Sequence, residues 1–390
     1  MFIELHLIQN FAPSCLNRDD SNTPKECDFG GYRRARISSQ CLKRAARDYF
    51  KHENMFSEEE ASVRTKLLKT QLVEQIKAEK PESDLTEAVV EVALEGLGFG
   101  LDGERTQYLL FLGRQEIADL SSKILEHWSD LEPVAAKRGE GEKNTDKKEA
   151  KKKGKKAVPA AVSQELKAAL QPRRSPEIAM FGRMLADLPQ GKVDGSCQVA
   201  HAISTNKVDT EFDFYTAVDD LQREEETGAG MMGTIEFNSA CFYRYANVNL
   251  DQLQHLLGND NADLTRKSAD AFLRAMINAV PSGKQNSMAA HNPPSFIFGV
   301  ARTAGLWSLA NAFVAPVRPR ADLDLVSGSI EALKTYWSRL AKAYGAGQIQ
   351  DGAVLHLNGT IQGEPWGRFS TGSVDELVNR LVRKAFPETK

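Results

Sequence analysis

The order of strand-like and helix-like segments is the feature that most restricts the fold of this chain. Alternating apolar residues rich in β-formers predict strands, and apolar periodicity near 3.6 residues predicts helices. The predicted strands cover residues 2–9, 193–207, 233–248, 295–300 and 309–314, and the predicted helices cover residues 39–51, 250–257, 264–280, 328–343 and 373–385. With a mostly helical block at residues 57–190 set aside, the order is β-α-β-β-α-β. That order is typical of ferredoxin-like and RRM-like folds, so we expect an α+β protein with a large helical insertion.

Two long connections interrupt this order. Residues 10–36 are predicted to form a loop because Pro, Asn, Asp and Gly are frequent there. Residues 208–232 form a polar connection between two predicted strands and contain two glycines near its end. So long a connection predicts a projecting hairpin, and long connections of this kind usually carry function.

The distribution of charge is more informative than its sum. The chain has 390 residues, with 50 Lys and Arg against 53 Asp and Glu, and a net charge of −3 does not by itself indicate a nucleic-acid partner. Residues 25–51 are nevertheless strongly basic, and a second basic stretch covers residues 137–156. The basic residues of the first stretch are Lys25, Arg33, Arg34, Arg36, Lys43, Arg44, Arg47 and Lys51. Clustered charge of one sign predicts a polyanionic partner.

The helix predicted at residues 39–51 has two chemically different faces. One face is polar and mostly basic, and the opposite face is apolar. The polar face consists of Gln40, Lys43, Arg44, Arg47 and Lys51, and the apolar face of Leu42, Ala45, Ala46 and Tyr49. Like charges four residues apart repel, and a bound polyanion removes that repulsion. Ser38 or Ser39 is the expected N-cap, and the free N–H groups at a helix start suit a phosphate. We therefore favour a polyanion-binding face over an ordinary solvated one.

Several function classes are disfavoured by what the sequence lacks. No apolar run is long enough to span a bilayer and the first residues do not resemble a signal peptide, so we expect a cytoplasmic protein. The five cysteines are odd in number and lack CxxC spacing, which argues against a disulfide framework and a zinc ribbon. No HExxH, Walker A or Gly-x-Ser-x-Gly motif occurs. We expect neither a cofactor nor a metal.

Two further features have an ordinary structural explanation. Residues 98–103 match GxGxxG, but they follow a helical pattern where a dinucleotide fingerprint needs a preceding strand. We predict a helix stop and a turn there. His201 falls within a predicted strand, and we expect it to be a core or hydrogen-bonded histidine.

Several long motifs resemble those of a known family. The motifs are PSCLNRDD at 13–20, FGGYRRARISSQ at 29–40, LKRA at 42–45, GRM at 182–184, GKVDG at 191–195, AHAI at 200–203, FYTAVDDL at 214–221, FYRYAN at 242–247 and LANAF at 309–313. In this order they are similar to the backbone subunit of Cascade, the CasC or Cas-seven family of type I-E CRISPR systems. The resemblance covers nearly the whole chain and is weakest across residues 52–170.

The resemblance implies an architecture like a right hand. A modified RRM-like palm would comprise residues 1–51, 191–207 and 233–390, helical fingers residues 52–190, and a thumb β-hairpin residues 208–232. Several copies, six by family resemblance, would stack along the guide RNA (crRNA) together with other Cascade subunits. Each thumb would kink the RNA and flip out one base, and the remaining bases would pair with target DNA. The subunit itself would not be an enzyme.

The resemblance also implies roles for particular residues. The RNA phosphates would be bound by Arg18, Arg34, Arg36, Ser38, Gln40, Lys43, Arg44 and Arg47. The kink and the flipped base would be contacted by Met184, Tyr215, Thr216 and Met232. DNA contacts by Lys147, Lys148, Lys151 and Lys152 are an alternative to a plain solvated segment. Tyr32 stands where the family has a lysine, so one phosphate contact is expected to be absent or made by a hydroxyl.

Two other functions remain open from the sequence. Related subunits of type III complexes resemble this fold and cut RNA with a loop aspartate, for which Asp194 or Asp209 would be the candidate here. A metal-dependent endoribonuclease is therefore an alternative. A general single-strand binder is another, and it would bind any single-stranded RNA without partner subunits.

Overall fold

The computed structural model describes residues 1–139, 158–171, 174–185, 188, 191–217, 231–359, 363 and 365–386. The strands are β1 (Phe2–Ser14), β2 (Glu26–Phe29), β3 (Tyr32–Ile37), β4 (Ser62–Thr65), β5 (Leu101–Asp102), β6 (Arg105–Thr106), β7 (Leu110–Gly113), β8 (Cys197–Val199), β9 (Ala202–Ser204), β10 (Glu211–Ala217), β11 (Met231–Asn249), β12 (Phe296–Arg302) and β13 (Ile349–His356). The helices are α1 (Ser39–His52), α2 (Leu68–Glu79), α3 (Thr86–Leu97), α4 (Arg114–Glu126), α5 (Trp128–Gly139), α6 (Ala160–Ala168), α7 (Pro176–Phe181), α8 (Leu250–Leu257), α9 (Ala262–Asn278), α10 (Gln285–Met288), α11 (Leu325–Tyr344) and α12 (Val374–Ala385). Short 3₁₀ turns cover Ala310–Phe313 and Gly367–Phe369.

The chain divides into two compact units. The first, here called the sheet unit, comprises Met1–Glu53, Cys197–Leu250 and Arg266–Lys390. The second, here called the helical unit, comprises Asn54–Ser196 and Asp251–Thr265. Each contains its own hydrophobic core.

The sheet unit is built on one large antiparallel sheet in the order β13-β12-β1-β11-β9-β3-β2. Its central strand β1 pairs with β11 from Phe2↔Asn249 to Phe11↔Ala240 and with β12 on its other side. Because β1 is covered on both faces, its residues from Ile3 to Ile8 are all buried, including Glu4 and His6, which form hydrogen bonds with Tyr245 and Tyr243. Aromatic side chains from β11, β12 and α11 fill the core on one side. The predicted α+β class is confirmed.

Strand β11 has 19 residues and belongs to two different environments. From Asn238 onward it pairs with β1 inside the sheet, and nearly all of its residues there are buried. Before that point it pairs with β10 from Glu211↔Phe237 to Ala217↔Met231, and most of these residues are exposed. The β10–β11 hairpin is therefore a direct continuation of a strand inside the sheet, and the part of β11 that pairs with β1 supports its base.

Four sequence-based assignments differ from the structure. Residues 26–37 contain the hairpin β2–β3 and are not a loop, since Gly30 and Gly31 both adopt positive φ (62° and 80°) in a two-residue turn. The strand predicted at 193–207 is two short strands, β8 and β9. Residues 310–313 form a 3₁₀ turn and no strand, and β13 was not predicted.

The helical unit packs α2 to α6 around an apolar core. Gly98 ends α3 in the left-handed conformation (φ 100°), so the GxGxxG match is a helix stop as predicted. Small strands accompany the helices, with β4 pairing with β7 and β5 with β6. The predicted mostly helical character of residues 57–190 holds for the part of it that the structure describes.

Three expectations concern the chain as a whole. All five cysteines are free thiols. None of the helices within the described residues is long and apolar enough to cross a membrane. The lysines proposed for DNA contact, Lys147, Lys148, Lys151 and Lys152, lie outside the described residues.

Candidate nucleic-acid interface

Helix α1 forms with the two faces that the sequence predicts. Ser38 caps it, and its Oγ accepts a hydrogen bond from the Cys41 N–H at 3.3 Å. The buried face contains Leu42, Ala45, Ala46 and Phe50. Phe50 takes the place expected for Tyr49, which is half-buried and whose hydroxyl accepts from Asn278 Nδ2 at 3.3 Å. The basic face is thus turned away from the core, as its chemistry requires.

The residues of the basic face differ in exposure. Gln40, Arg44 and Lys51 are exposed, whereas Lys43 and Arg47 are half-buried. Burial lowers the pKa of the Lys43 ammonium below its usual value. The side chain of Arg44 is 81% exposed and lies 3.7 Å from Asp48. An exposed pair of this kind contributes at most about 1 kcal/mol, so a phosphate competes readily for the guanidinium.

One side of α1, which carries Arg44 and Lys51, forms a wall of an open cleft of about 1120 Å³ within the sheet unit. The other residues of the polar face, Gln40, Lys43 and Arg47, do not line this cleft. Arg18 lies at the rim, and its guanidinium donates to Asn22 Oδ1 at 3.0 Å. The loop that carries Arg18 is fixed by Asp19, whose carboxylate accepts from two backbone N–H groups. Arg18 and Arg44, which are far apart in sequence, thus line the same cleft with Lys51.

The opposite wall of the cleft was not predicted. It is formed by residues 278–293, including Val280, Pro281, Gln285 and His291. Two non-glycine residues of this segment, Lys284 (φ 54°) and Ala289 (φ 47°), adopt the left-handed conformation at either end of α10. The sequence shows only proline and glycine punctuation there, which indicates a loop and not what the loop faces.

Arg36 and Ser38 connect the β2–β3 hairpin to α1. Arg36 is half-buried, its Nε donates to Glu26 O at 3.3 Å, and its Nη1 lies 2.9 Å from His201 Nδ1. Desolvation and the positive charge of Arg36 lower the pKa of His201, so the neutral imidazole accepts from the arginine. His201 is hydrogen-bonded as expected, but it is exposed and not part of the core. Ser38 serves as the helix cap, and its phosphate contact stays a prediction.

Arg34 corrects one of the phosphate assignments. It is fully buried, and its guanidinium donates to the backbone carbonyls of Ser204, Thr205, Phe313 and Val314. A side chain enclosed in this way cannot reach a phosphate in solvent. In sequence the run of arginines looks uniform, but β3 lies between β2 and β9 and turns this one inward.

The β10–β11 hairpin brings three of the four predicted kink residues together. Tyr215 pairs with Gly233 and Thr216 with Met232. Because directly paired residues share a face and successive residues alternate, Tyr215 and Met232 project from opposite faces of the hairpin. Tyr215 shares its face with Met231, and Met232 shares the other with Thr216 and Phe214.

Both faces of the hairpin are apolar and exposed. The exposed fractions are 68% for Phe212, 64% for Phe214, 38% for Tyr215, 59% for Met231 and 67% for Met232. Tyr215 is therefore not an ordinary core residue. The prediction missed Phe212 and Phe214, although the alternating sequence FDFYT indicates an apolar strand face.

A glycine fixes the tyrosine ring. A Cβ built on Gly233 would lie 2.5 Å from the Tyr215 ring, so the ring occupies the space that any other side chain would need. Aromatic rings that cover a cross-strand glycine in this way stabilise a hairpin. Gly233 thus helps to hold Tyr215 in place.

The root of the hairpin is bonded to the β2–β3 hairpin. Val208 N donates to Arg33 O at 3.1 Å, and Thr210 Oγ1 donates to Glu26 Oε1 at 2.5 Å. The other oxygen of Glu26 accepts from Arg33 Nε at 2.5 Å. Since β3 leads directly into α1, the sheet unit combines a cationic helix face and an apolar hairpin on one rigid frame.

Met184, the fourth kink residue, belongs to the helical unit and is 77% exposed. The residue before it is an anchor: Arg183 is buried, and its Nη1 donates to both carboxylate oxygens of Glu116 at 2.8 and 2.7 Å. Arg183 also donates to Gly191 O and Leu170 O. An exposed methionine is thus held on a fixed piece of backbone, which excludes a core role for it.

The aspartates of the nuclease alternative are exposed and paired. Asp194 lies 3.0 Å from Lys192, and Asp209 lies 2.8 Å from Lys207. Within the described residues, the group of acidic and histidine side chains close enough to share a metal is Glu126, His127 and Glu165. Neither aspartate belongs to it.

Comparison with known proteins places the chain in a family. A family profile described as CT1975-like protein matches residues 3–380. The chain belongs to the CT1975-like protein family. A solved chain from "CRISPR RNA-guided surveillance complex, pre-nicking" is similar to it, with 29% identity and a TM-score of 0.80 over 99% of this chain and 100% of that one. A chain from a "CRISPR RNA-guided surveillance complex" shares the fold at 23% identity, with a TM-score of 0.71 over 98% and 99% of the two chains. No curated protein sequence matches significantly.

Proposed function

We propose that this CT1975-like protein is a non-catalytic subunit that coats the guide RNA of a CRISPR surveillance complex. The observation that carries the proposal is the open cleft of about 1120 Å³ that Arg18, Arg44 and Lys51 line together. Phosphate contacts fix a strand in place without reading its sequence. A subunit that must accept any guide needs this kind of contact.

The hairpin supplies what the cleft lacks. An unstacked base exposes its two faces, and packing on an aromatic side chain returns about 1–3 kcal/mol per base. Phe214, Tyr215 and Met232 offer such surfaces without fixed hydrogen-bond partners for base edges. Methionine adapts its shape to different neighbours, which suits a variable guide. We infer that the hairpin enters the RNA and flips out a base at regular intervals.

Membership in a complex rests on similarity over the full chain. The family profile and the first solved chain both cover nearly all of this protein, so both units have a counterpart there. The type I-E assignment, a stack of six copies, pairing with target DNA and further Cascade subunits as partners follow from the motif resemblance. The cytoplasm is the proposed location.

The absence of catalysis is part of the proposal. Asp194 and Asp209 each face a lysine and lie outside the described group of side chains close enough to share a metal, and no described feature favours the nuclease. We expect Asp194→Ala and Asp209→Ala to leave interference with target nucleic acid unchanged. Mg²⁺-dependent cutting of bound RNA that either substitution removes would support the nuclease instead.

The decisive experiment identifies the nucleic acid that co-purifies with the full-length protein. We expect guide RNA of one length class when partner subunits and a CRISPR array are co-expressed. Arg18→Glu with Arg44→Glu should remove it, and the control Arg383→Glu with Lys384→Glu, which changes the same charge on the exposed side of α12, should not. Unselective RNA of all lengths without partner subunits would indicate a general single-strand binder.

A further inference from the structure

Arg34 is a buried cation held by neutral groups. It is 0% exposed, and its Nη1 donates to Ser204 O at 2.8 Å and Thr205 O at 2.9 Å. Its Nη2 donates to Phe313 O at 2.7 Å and Val314 O at 3.2 Å. One planar guanidinium therefore joins three separate segments: β3, the residues before the β10–β11 hairpin, and the 3₁₀ turn at Ala310–Phe313.

The burial of this cation costs folding free energy, and the benefit that we expect in return is the geometry that it fixes. None of the four acceptors is charged, so the lost hydration of the cation is offset by hydrogen bonds to carbonyls and by the Phe29 ring, whose centroid lies 5.9 Å from the guanidinium carbon. Burial accordingly lowers the pKa of Arg34, although the group stays protonated. A lysine could not span both pairs of carbonyls, because its ammonium is a single point and not a fork.

The segments that Arg34 joins meet at the root of the hairpin. Thr205 N and Oγ1 both donate to Cys241 O, and Val317 N donates to Thr205 O at 2.8 Å. Gly30, in the turn between β2 and β3, approaches the third segment so closely that a Cβ would lie 2.1 Å from Val314 O. The β2–β3 hairpin therefore contacts the same backbone carbonyl, Val314 O, that Arg34 binds.

We propose that Arg34 is a positioning residue that fixes the β10–β11 hairpin relative to β3 and α1. It acts through the carbonyls of Ser204 and Thr205 and makes no contact with RNA. The consequence for RNA rests on the proposed function, because the spacing between phosphate cleft and hairpin sets where the kink falls. The consequence for the protein, which is the fixed position of the hairpin, does not depend on the proposed function.

Hydrogen–deuterium exchange on the full-length chain without RNA tests the proposal directly. We expect Arg34→Lys to accelerate exchange at residues 204–217 by about tenfold or more while α1 keeps its protection. The matched control is Arg244→Lys, since Arg244 is also buried and bonds to the neutral groups Gln9 Oε1 and Met276 O. Equal acceleration at residues 204–217 in both variants would overturn the proposal.

A second variant covers the case in which Arg34→Lys does not fold. Gly30→Ala leaves Arg34 in place but presses a methyl group on Val314 O. We expect it to loosen residues 204–217 in the same way and by a smaller factor. Unchanged exchange there would count against the shared seat of the two hairpins.

Salt dependence then separates positioning from contact. Removing a phosphate contact from a single strand lowers the slope of log affinity against log salt by about 0.7, and Arg44→Met should show this. Arg34→Met should weaken RNA retention with the wild-type slope and blur the pattern of reactive bases along the guide. A slope change equal to that of Arg44→Met would show a direct contact and refute positioning. Absence of RNA from the wild type would refute the proposed function and leave the exchange test standing.

Discussion

The basic face of α1 and the β10–β11 hairpin solve different parts of one problem. The helix face carries charge on a packed element, with Arg44 exposed and the apolar side buried. The hairpin carries apolar surface on a projecting element, and all seven residues of β10 are exposed. Charge attracts a phosphate backbone from a distance, whereas apolar surface acts only at contact. The comparison indicates that affinity and RNA shape are separate properties in this molecule and can be changed separately.

The largest effect should follow from reversing the helix face. Lys43→Glu with Arg47→Glu is expected to abolish guide RNA retention, because four units of charge change on the polar face of α1 that also carries Arg44. The ratio of nucleic-acid to protein absorbance and the RNA content of the purified complex measure this retention. Circular dichroism and melting should show that the chain remains folded, and normal RNA content in a folded variant would refute the role of the helix.

The next largest effect should follow from substitutions in the apolar β10–β11 hairpin. Tyr215→Ala with Met232→Ala removes one side chain from each face and is expected to weaken assembly by about 1–3 kcal/mol per lost base contact. Chemical probing of the bound guide should show reactive bases at a regular interval in the wild type and a blurred pattern in the variant. Since the two side chains lie on opposite faces, each single variant should alter reactivity on a different side of the kink. Uniform reactivity along the wild-type guide would show that no base is flipped.

Salt separates the two regions further. Retention by the wild type should fall steeply with salt, by about 0.7 in log–log slope for each phosphate neutralised. Arg44→Met should flatten that slope, and Tyr215→Ala should leave it unchanged while lowering affinity. Filter binding of the reconstituted complex at several salt concentrations measures both. A flat plot for the wild type would exclude phosphate contacts as the main source of affinity.

The two regions also differ in what the sequence revealed. The α1 prediction succeeded in outline because a local periodicity fixes the faces of a helix, although Phe50 replaces Tyr49 on the buried face and Lys43 and Arg47 are half-buried. The hairpin was predicted from a long connection, but its register was not, so the opposite faces of Tyr215 and Met232 became visible only from the pairing. Register depends on partner strands, which a single sequence does not show.

Arg34 illustrates the remaining limit. Nothing in the run YRRARIS distinguishes its second arginine from the first, yet Arg33 is exposed and Arg34 is buried. The difference arises in part from Phe313 and Val314, whose backbone carbonyls accept hydrogen bonds from Arg34 although they lie 279 and 280 residues further along the chain. The same holds for the wall at residues 278–293, since a cleft is formed by segments that only the fold brings together.

The smallest expected effect is a gain in RNA retention, whereas the other substitutions weaken it. Asp48 is exposed, lies 3.7 Å from Arg44 and lines the cleft, so it competes with RNA for the guanidinium. Asp48→Asn should therefore strengthen retention by a few tenths up to about 1 kcal/mol, the range of an exposed ion pair. Asp375→Asn is the matched control, because Asp375 also pairs with an arginine, Arg274, but does not line the cleft. The gain should shrink as salt rises, since screening weakens the pair and the phosphate contact alike. Weaker retention in Asp48→Asn than in Asp375→Asn would mean that the carboxylate orients Arg44 for RNA and does not compete with it.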